Sequence, residues 1–391
     1  MMEKRTGWTE EYGQALIDFY RQAIQTRSYS DEEGDMARLT EAKMKELGFD
    51  KVYIDSTGNV VGRVGNGPKV IHFDSHMDNV QVNDPEEWIV PPFSAEIVDG
   101  QIYGRGSVDM KGGLSASVFA AALAKRQGLL EGKTVYVTGS VCEEYCDGVC
   151  LEHFYRESGV RPDVCVICEP SDNTITLGHT GKVQAVIKTH GVSAHGSAPE
   201  KGVNAVYEMA EIISRVEELN RKLGAVPGGG TIVLSHISCE TASLNAVPSQ
   251  CRIYLDRRLR PGECVEQVKG EIEALIAGRQ RASWELGTLR RTSWTGGELV
   301  YEPAHEPWKI DEDAPLTVIC RQAYENVFNR KPERYDFWDF GTNAVVPVSM
   351  GVATIGFGPG EYKLAHMTNE HCDPEKVKDA CRFYTELIGL L

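Results

Sequence analysis

Apolar positions recur at helical spacing through residues 9–26 and again through 36–47, where Gly48 supplies a stop. Short runs dense in Val, Ile and Tyr follow at 69–74 (KVIHFD), 133–141 (KTVYVTGSV) and 163–168 (PDVCVI). Between the first two lies a helix of small residues from Gly112 to Gln127. Short β-rich runs separated by helices predict βαβ units and an open, largely parallel sheet. The last stretch returns to this style, with a helix near 314–328, a strand at 352–357 (VATIGF) and a helix after Pro374.

The middle has another rhythm. From Lys182 the pattern predicts a strand (KVQAVIKTH), a helix over 203–222 and a Gly-rich turn at 228–230. Strands at TIVLSHIS and 250–258, a helix over 263–277 and a strand over 282–290 complete a βαββαβ order, the ferredoxin-like two-layer unit. An α+β unit interrupting an α/β sheet implies an insertion. The expected organisation is a discontinuous α/β domain of residues 1–181 and 297–391, carrying an inserted α+β domain of residues 182–296.

Composition narrows the function. The 391 residues are 41% hydrophobic, too apolar for a disordered chain, and 41 basic against 57 acidic side chains leave a net charge of −16. That balance argues against nucleic acid and anionic membrane as partners, because no basic surplus exists to release counterions. No run approaches 18 apolar residues, and the first thirty residues lack the apolar core of a signal peptide. With an odd count of eleven cysteines, these features predict a reduced, cytoplasmic protein.

The chemistry sits where the strands end. After VIHFD come His76 and Asp78, and Asp109 stands just before the small-residue helix. After TVYVTGSV come Glu143 and Glu144, after DVCVIC comes Glu169, and after VATIGFGPG comes His366. Open α/β sheets bind ligands at the carboxyl ends of their strands, so five strand ends deliver these groups to one rim. Crowded carboxylates repel unless protonated or neutralised, and dications neutralise them best. Two imidazoles with several carboxylates suit Zn²⁺, with Co²⁺ or Mn²⁺ as substitutes; the thiolates of a structural zinc site are absent.

The order His-x-Asp, G-R-G-x-x-D-M-K-G-G, Glu-Glu, E-P and a late A-H-x-x-N-E resembles the dinuclear zinc amidohydrolases and exopeptidases. That family includes acetylornithine deacetylase, succinyl-diaminopimelate desuccinylase, aminoacylase and the glutamate carboxypeptidases. The stretches EEYCDG, HGVSAHGSAPEKGVNA and DRRL resemble most closely its hydrolases associated with selenium metabolism. The resemblance implies two Zn²⁺, His76 and Glu169 on one, Glu144 and His366 on the other, and Asp109 bridging. It makes Asp78 the group that orients His76, and Glu143 the general base serving a metal-bridging hydroxide. It also implies a non-proline cis bond between Asp109 and Met110.

In the inserted unit, His195 of GVSAHGSAP matches an imidazole that reaches the substrate carbonyl across a homodimer, so that unit is expected to be lid and dimerisation surface. Asn245 of LNAVP and Arg258 of DRR match substrate contacts. Relatives carry G-T-D followed by an arginine that grips a substrate carboxylate; here the stretch is Gly341-Thr342-Asn343-Ala344-Val345-Val346. Asn343 is left to bond a neutral or zwitterionic group, or to cap a helix. The expected activity is amide hydrolysis of a small N-acyl amino acid, dipeptide or related compound. The rivals are a carbamoyl or ureido hydrolase and a non-catalytic metal- or amide-binding protein. The cysteines at 142, 146, 150, 165 and 168 are expected to be core residues, and the G-x-G at 104–106 lacks the third glycine of a dinucleotide site.

Overall fold

Helix α1 (Glu10–Gln25) starts where the Thr9 hydroxyl accepts a hydrogen bond from the Tyr12 N–H at 3.1 Å, and it buries Leu16, Phe19, Tyr20 and Ala23 along one face. The computed structural model describes residues 7–391. Helix α2 (Gly34–Glu46) follows, then the strands β1 (Lys51–Ile54), β2 (Val60–Gly65) and β3 (Lys69–His76). After β3 come α3 (Lys111–Arg126), β4 (Lys133–Ser140), α4 (Val149–Ser158), β5 (Val164–Ile167) and β6 (Thr176–His179).

The central sheet is mixed and mainly parallel. Its middle strands β4, β3 and β5 run parallel, and the late strand at Ala353–Gly356 pairs parallel with β5. β1 and β2 extend the β4 edge antiparallel. Helix α3 is buried along almost its whole length, which explains its Gly, Ala and Ser content. Gly113 shows how close the approach is: a Cβ there would lie 2.2 Å from the Cys168 carbonyl oxygen. That contact sets the start of α3, and Asp109 before it, against the strand end carrying Glu169.

The middle of the chain forms a second sheet with its own apolar cluster, which includes Val183, Ile187, Ile212, Ile253 and Ile272. Its strands β7 (Gly181–His190), β8 (Thr231–Glu240), β9 (Gln250–Leu259) and β10 (Ala282–Leu286) lie in the order β8-β9-β7-β10, all antiparallel. Helices α5 (Ala205–Gly224) and α6 (Val265–Ile276) pack against it.

The strand expected over 282–290 is divided. Gly287 N–H donates to the Gln184 carbonyl at 2.8 Å, and the chain then leaves the sheet. Residues Leu289–Thr292 (β11) instead pair with Glu298–Tyr301 (β12) in a separate hairpin. The return path still touches the second sheet, where Ala304–His305 (β13) pairs with Val183 and Lys182. Trp308–Lys309 (β14) then joins β6, and α7 (Pro315–Phe328), α8 (Val345–Ser349), the strand β15 (Ala353–Gly356) and α9 (Pro374–Leu390) close the chain. No helix among the described residues is long and apolar enough to cross a membrane. All eleven cysteines are unpaired thiols, and Cys142, Cys146, Cys150, Cys165 and Cys168 are buried.

Candidate metal centre

His76 is the last residue of β3 and is 1% exposed. Its Nε2 lies 2.9 Å from Asp109 Oδ1 and 3.6 Å from Glu169 Oε1. The other oxygen of Asp109, Oδ2, lies 3.1 Å from His366 Nε2, and that nitrogen is 3.0 Å from Glu144 Oε2. Asp109 therefore faces one imidazole with each oxygen. The Asp109–Met110 peptide bond is cis. His366, half exposed, sits in a loop at φ +63°, the left-handed region.

The adjacent carboxylates Glu143 and Glu144 diverge. Ligand atoms of His76, Glu143 and Glu169 lie within 4.8 Å of one another, as do those of His76, Asp109 and Glu144. Glu143 thus faces Glu169, while Glu144 faces His366. Glu143 Oε1 is buried and has no hydrogen-bond partner.

The charges in this cluster are unbalanced. Burial raises the Glu169 carboxyl well above its ordinary range, and repulsion by Asp109 and Glu144 adds to it. Burial and Asp109 push Glu144 up to about 7, and burial also raises Glu143 well above the usual range. Burial alone would lower His76, but Glu169, Asp109 and Asp78 raise it well above an ordinary imidazole. Hydrogen bonds to Asp109 and Glu144 lift His366 to about 10. Asp109 is held below its ordinary value by the two imidazoles, despite its burial. Two nitrogen donors, several converging carboxylates and an orphaned buried oxygen match what a pair of borderline-hard dications requires.

Asp78 does more than face His76. Its backbone carbonyl lies 3.0 Å from His76 Nδ1, and its Oδ1 lies 3.5 Å away. The carboxylate accepts hydrogen bonds from the backbone N–H groups of Glu143 at 3.1 Å and Glu144 at 3.2 Å, and from the Ser30 hydroxyl at 2.7 Å. One side chain thus ties the β3 end to the β4 turn.

The remaining sequence candidates lie elsewhere. His195 and Asn245 are neighbours on the second unit: both are exposed, and Gly196 N–H donates to the Asn245 carbonyl at 2.6 Å. His195 Nδ1 is 2.7 Å from the Ser197 hydroxyl. Arg258, one-third exposed, pairs with Asp256 on its own strand at 2.8 Å. Asn343 is put to another use than substrate recognition. Its amide donates to Asp74 at 2.8 Å and Ser140 at 2.9 Å, and its oxygen accepts from Gly148 N–H at 2.6 Å. It is 4% exposed and fully engaged inside the protein, so nothing remains to meet a ligand.

Two groups that sequence reasoning passed over are Glu370 and Arg105. Glu370 is fully buried, pairs with Arg105 at 2.5 Å and accepts from the N–H groups of Val108 at 2.7 Å and Asp109 at 3.1 Å. Both lie in the quoted motifs, G-R-G and A-H-x-x-N-E, so a signal existed.

Residues 72–389 match the model of peptidase family M20/M25/M40. The chain is 37% identical over 367 residues to the uncharacterized protein YgeY of Escherichia coli (strain K12), covering 92% of this chain and 90% of that one. It is 24% identical over 393 residues to a probable succinyl-diaminopimelate desuccinylase of Staphylococcus epidermidis (strain ATCC 12228 / FDA PCI 1200), covering 89% and 90%. Among solved structures, the M20 family metallo-carboxypeptidase Sso-CP2 from Sulfolobus solfataricus shares the fold with a TM-score of 0.75 at 19% identity, covering 98% of this chain and 99% of that one.

Proposed function

Because the chain belongs to peptidase family M20/M25/M40 and is a metal-dependent hydrolase of amide bonds, we propose that it cleaves a small N-acyl amino acid, dipeptide or related amide. Asp109 would serve two divalent ions in this centre, zinc first and cobalt or manganese as substitutes. His76 and Glu169 would hold one ion, Glu144 and His366 the other. When bound, the ions polarise the scissile carbonyl and allow a nucleophile to form at neutral pH.

The observation that carries this reading is Glu143. Its buried, unbonded Oε1 is the structure expected of a base waiting for water. Glu143 takes the proton of the attacking water and delivers it to the leaving amine nitrogen. Asp78 braces His76 and fixes the backbone of Glu143 and Glu144, so base and ligands move as one piece. A non-catalytic binder has no use for such a base.

The inserted unit, residues 182–296 in this reading, serves as lid and dimer surface for a catalytic domain of residues 1–181 and 297–391. Strand β8 is a sheet edge with Val233 and Ile237 exposed, and a second copy pairing there would cover it. His195 of the partner copy then donates to the oxyanion, and Asn245 and Arg258 lie near the bound substrate. The working compartment is the cytoplasm.

The test separates the neighbouring glutamates. Glu143→Ala should keep both metals by elemental analysis yet lose about 10²- to 10⁴-fold in amine release, whereas Glu144→Ala should lose metal. Metal lost from Glu143→Ala with high residual turnover would reverse the assignment.

A further inference from the structure

A polar cluster beside the metal centre lacks partners of its own. Tyr301 ends β12 and His305 lies in β13, with their rings stacked at 5.4 Å and 28°. Tyr301 is 2% exposed, yet its hydroxyl has no hydrogen-bond partner, and His305 Nε2 is likewise buried and unbonded. Asp147, four residues beyond Glu143, is buried and pairs with Lys182 at 2.6 Å. The Lys182 ammonium also lies over the Tyr301 ring at 5.4 Å.

Asp147, Tyr301 and His305 share one cleft of about 920 Å³, which Val345 and Val346 also line. The segment that lacks the arginine runs along it: a Cβ on Gly341 would lie 2.6 Å from Asp147 Oδ2. Val345 and Val346 of that stretch line the cleft with apolar side chains. Orphaned buried donors cost stability and call for an explanation. Here they stand beside Asp147, whose charge Lys182 neutralises. Burial lowers His305 to about 4, leaving it a neutral imidazole. Burial, then the charges of Asp147 and Glu143, raise the Tyr301 phenol far above its usual range, leaving it a neutral donor near the base. The remaining charged residues of the cleft, Glu152, Arg156, Arg161 and Glu302, are exposed.

We propose that Tyr301 and His305 receive an uncharged hydrogen-bonding head group of the substrate, a primary carboxamide or a ureide, in place of a carboxylate. The inference rests on the hydrolase reading and names its substrate class. A site built from buried neutral donors and acceptors discriminates against a charged analogue that it would have to desolvate unpaired.

The experiment compares N-acetyl amino acids, their primary amides and the matching compounds with a ureide in place of the carboxylate as substrates. In parallel, calorimetry measures binding of the free amino acids and their amides to the metal-loaded protein. Wild type should prefer the amides and ureides by about tenfold or more, which corresponds to one full hydrogen bond. Tyr301→Phe and His305→Phe should each raise KM for these compounds by about tenfold, hold kcat within about twofold and draw the preference towards one. Metal content should not change, and Tyr301→Phe should melt no lower than wild type, because the removed hydroxyl has no partner to lose. A preference for the acids, or a preference that both variants leave intact in turnover and in calorimetry, overturns the inference. Absence of turnover on every compound would overturn the hydrolase reading instead, while the calorimetric comparison still decides the inference.

Discussion

Glu370 Oε1 accepts the backbone N–H of Asp109 at 3.1 Å, so Asp109 hangs from the same chain segment that carries His366. Its second oxygen pairs with Arg105 at 2.5 Å in full burial. Arg105 also reaches the carbonyls of His366 at 3.3 Å and Met367 at 3.4 Å. One buried ion pair thus sets the spacing of the two loops that face each other across the centre.

Breaking that pair leaves a buried guanidinium without its anion, which costs about 3–5 kcal/mol. Glu370→Ala should show that loss in urea unfolding, together with a fall in metal affinity of about 10- to 100-fold. Glu370→Gln, which keeps a hydrogen-bond acceptor for Asp109 N–H, should retain more of the affinity than of the stability. Equal metal titrations for all three proteins would remove Glu370 from the support of the centre.

Chelation should make stability fall with rising pH. Burial and carboxylate repulsion raise Glu144 to about 7 and raise Glu143 and Glu169 as well, so the folded, metal-free protein holds protons that the unfolded chain releases above its ordinary carboxylate range. His76 and His366 are also raised, so their protons too are held more tightly in the fold. Each such proton contributes a slope of about 1.4 kcal/mol per pH unit within its own window. For Glu144 that stability is lost from about pH 4.5 to 7, for Glu143 and Glu169 from about pH 4.5 upward, and for the imidazoles above about 6.5. Metal at a hundredfold excess over its dissociation constant restores about 2.7 kcal/mol. Scanning calorimetry with and without EDTA from pH 5.5 to 9 should show a gap that widens with pH; parallel curves would contradict the site.

His72 should act in the opposite direction, in acid. It is fully buried between the Tyr155 hydroxyl at 2.6 Å and the Thr138 hydroxyl at 2.9 Å, and burial lowers it to about 3. Below about pH 6.5 the unfolded chain gains a proton that the folded state refuses, so stability drops as pH falls. His72→Gln should flatten that acid slope by about 1.4 kcal/mol per pH unit, read from urea midpoints between pH 6.5 and 4.5. An unchanged slope would mean that His72 accepts its proton inside the fold.

The proposal that two chains share each active site is open to a mixing experiment. His195→Ala and Glu143→Ala, each inactive alone, are unfolded and refolded together. Random pairing makes about half the dimers mixed, each with one intact and one doubly altered site, so activity should return to about a quarter of wild type. No recovery would place His195 in the service of its own chain, and a monomer by light scattering would remove the partner altogether.

Much of the centre was legible in the sequence because its residues stand at strand ends. His76, Glu143, Glu144 and Glu169 follow β-rich runs, and a parallel sheet has one carboxyl edge on which such residues must meet. The ferredoxin-like order of the middle was legible for a similar reason, since its periodicities alternate over long segments. The break at Gly287 was passed over although the chain marks it: apolar side chains stand at Trp284 and Leu286 and then at Leu289, so the alternation changes phase across the glycine, where Gly287 N–H bonds the Gln184 carbonyl and the sheet ends.

What the sequence alone determined is therefore the set of donors and the edge they share. The tertiary structure decided what each polar group is occupied with. Asn343 looked available and is consumed by Asp74, Ser140 and Gly148; Tyr301 and His305 carried no motif, and the Tyr301 hydroxyl and His305 Nε2 are left unbonded. Local pattern follows from the backbone's two periods, which a sequence displays directly. Hydrogen-bond satisfaction depends on partners distant along the chain, such as the 195 residues between Gly148 and Asn343, and only folding brings them together.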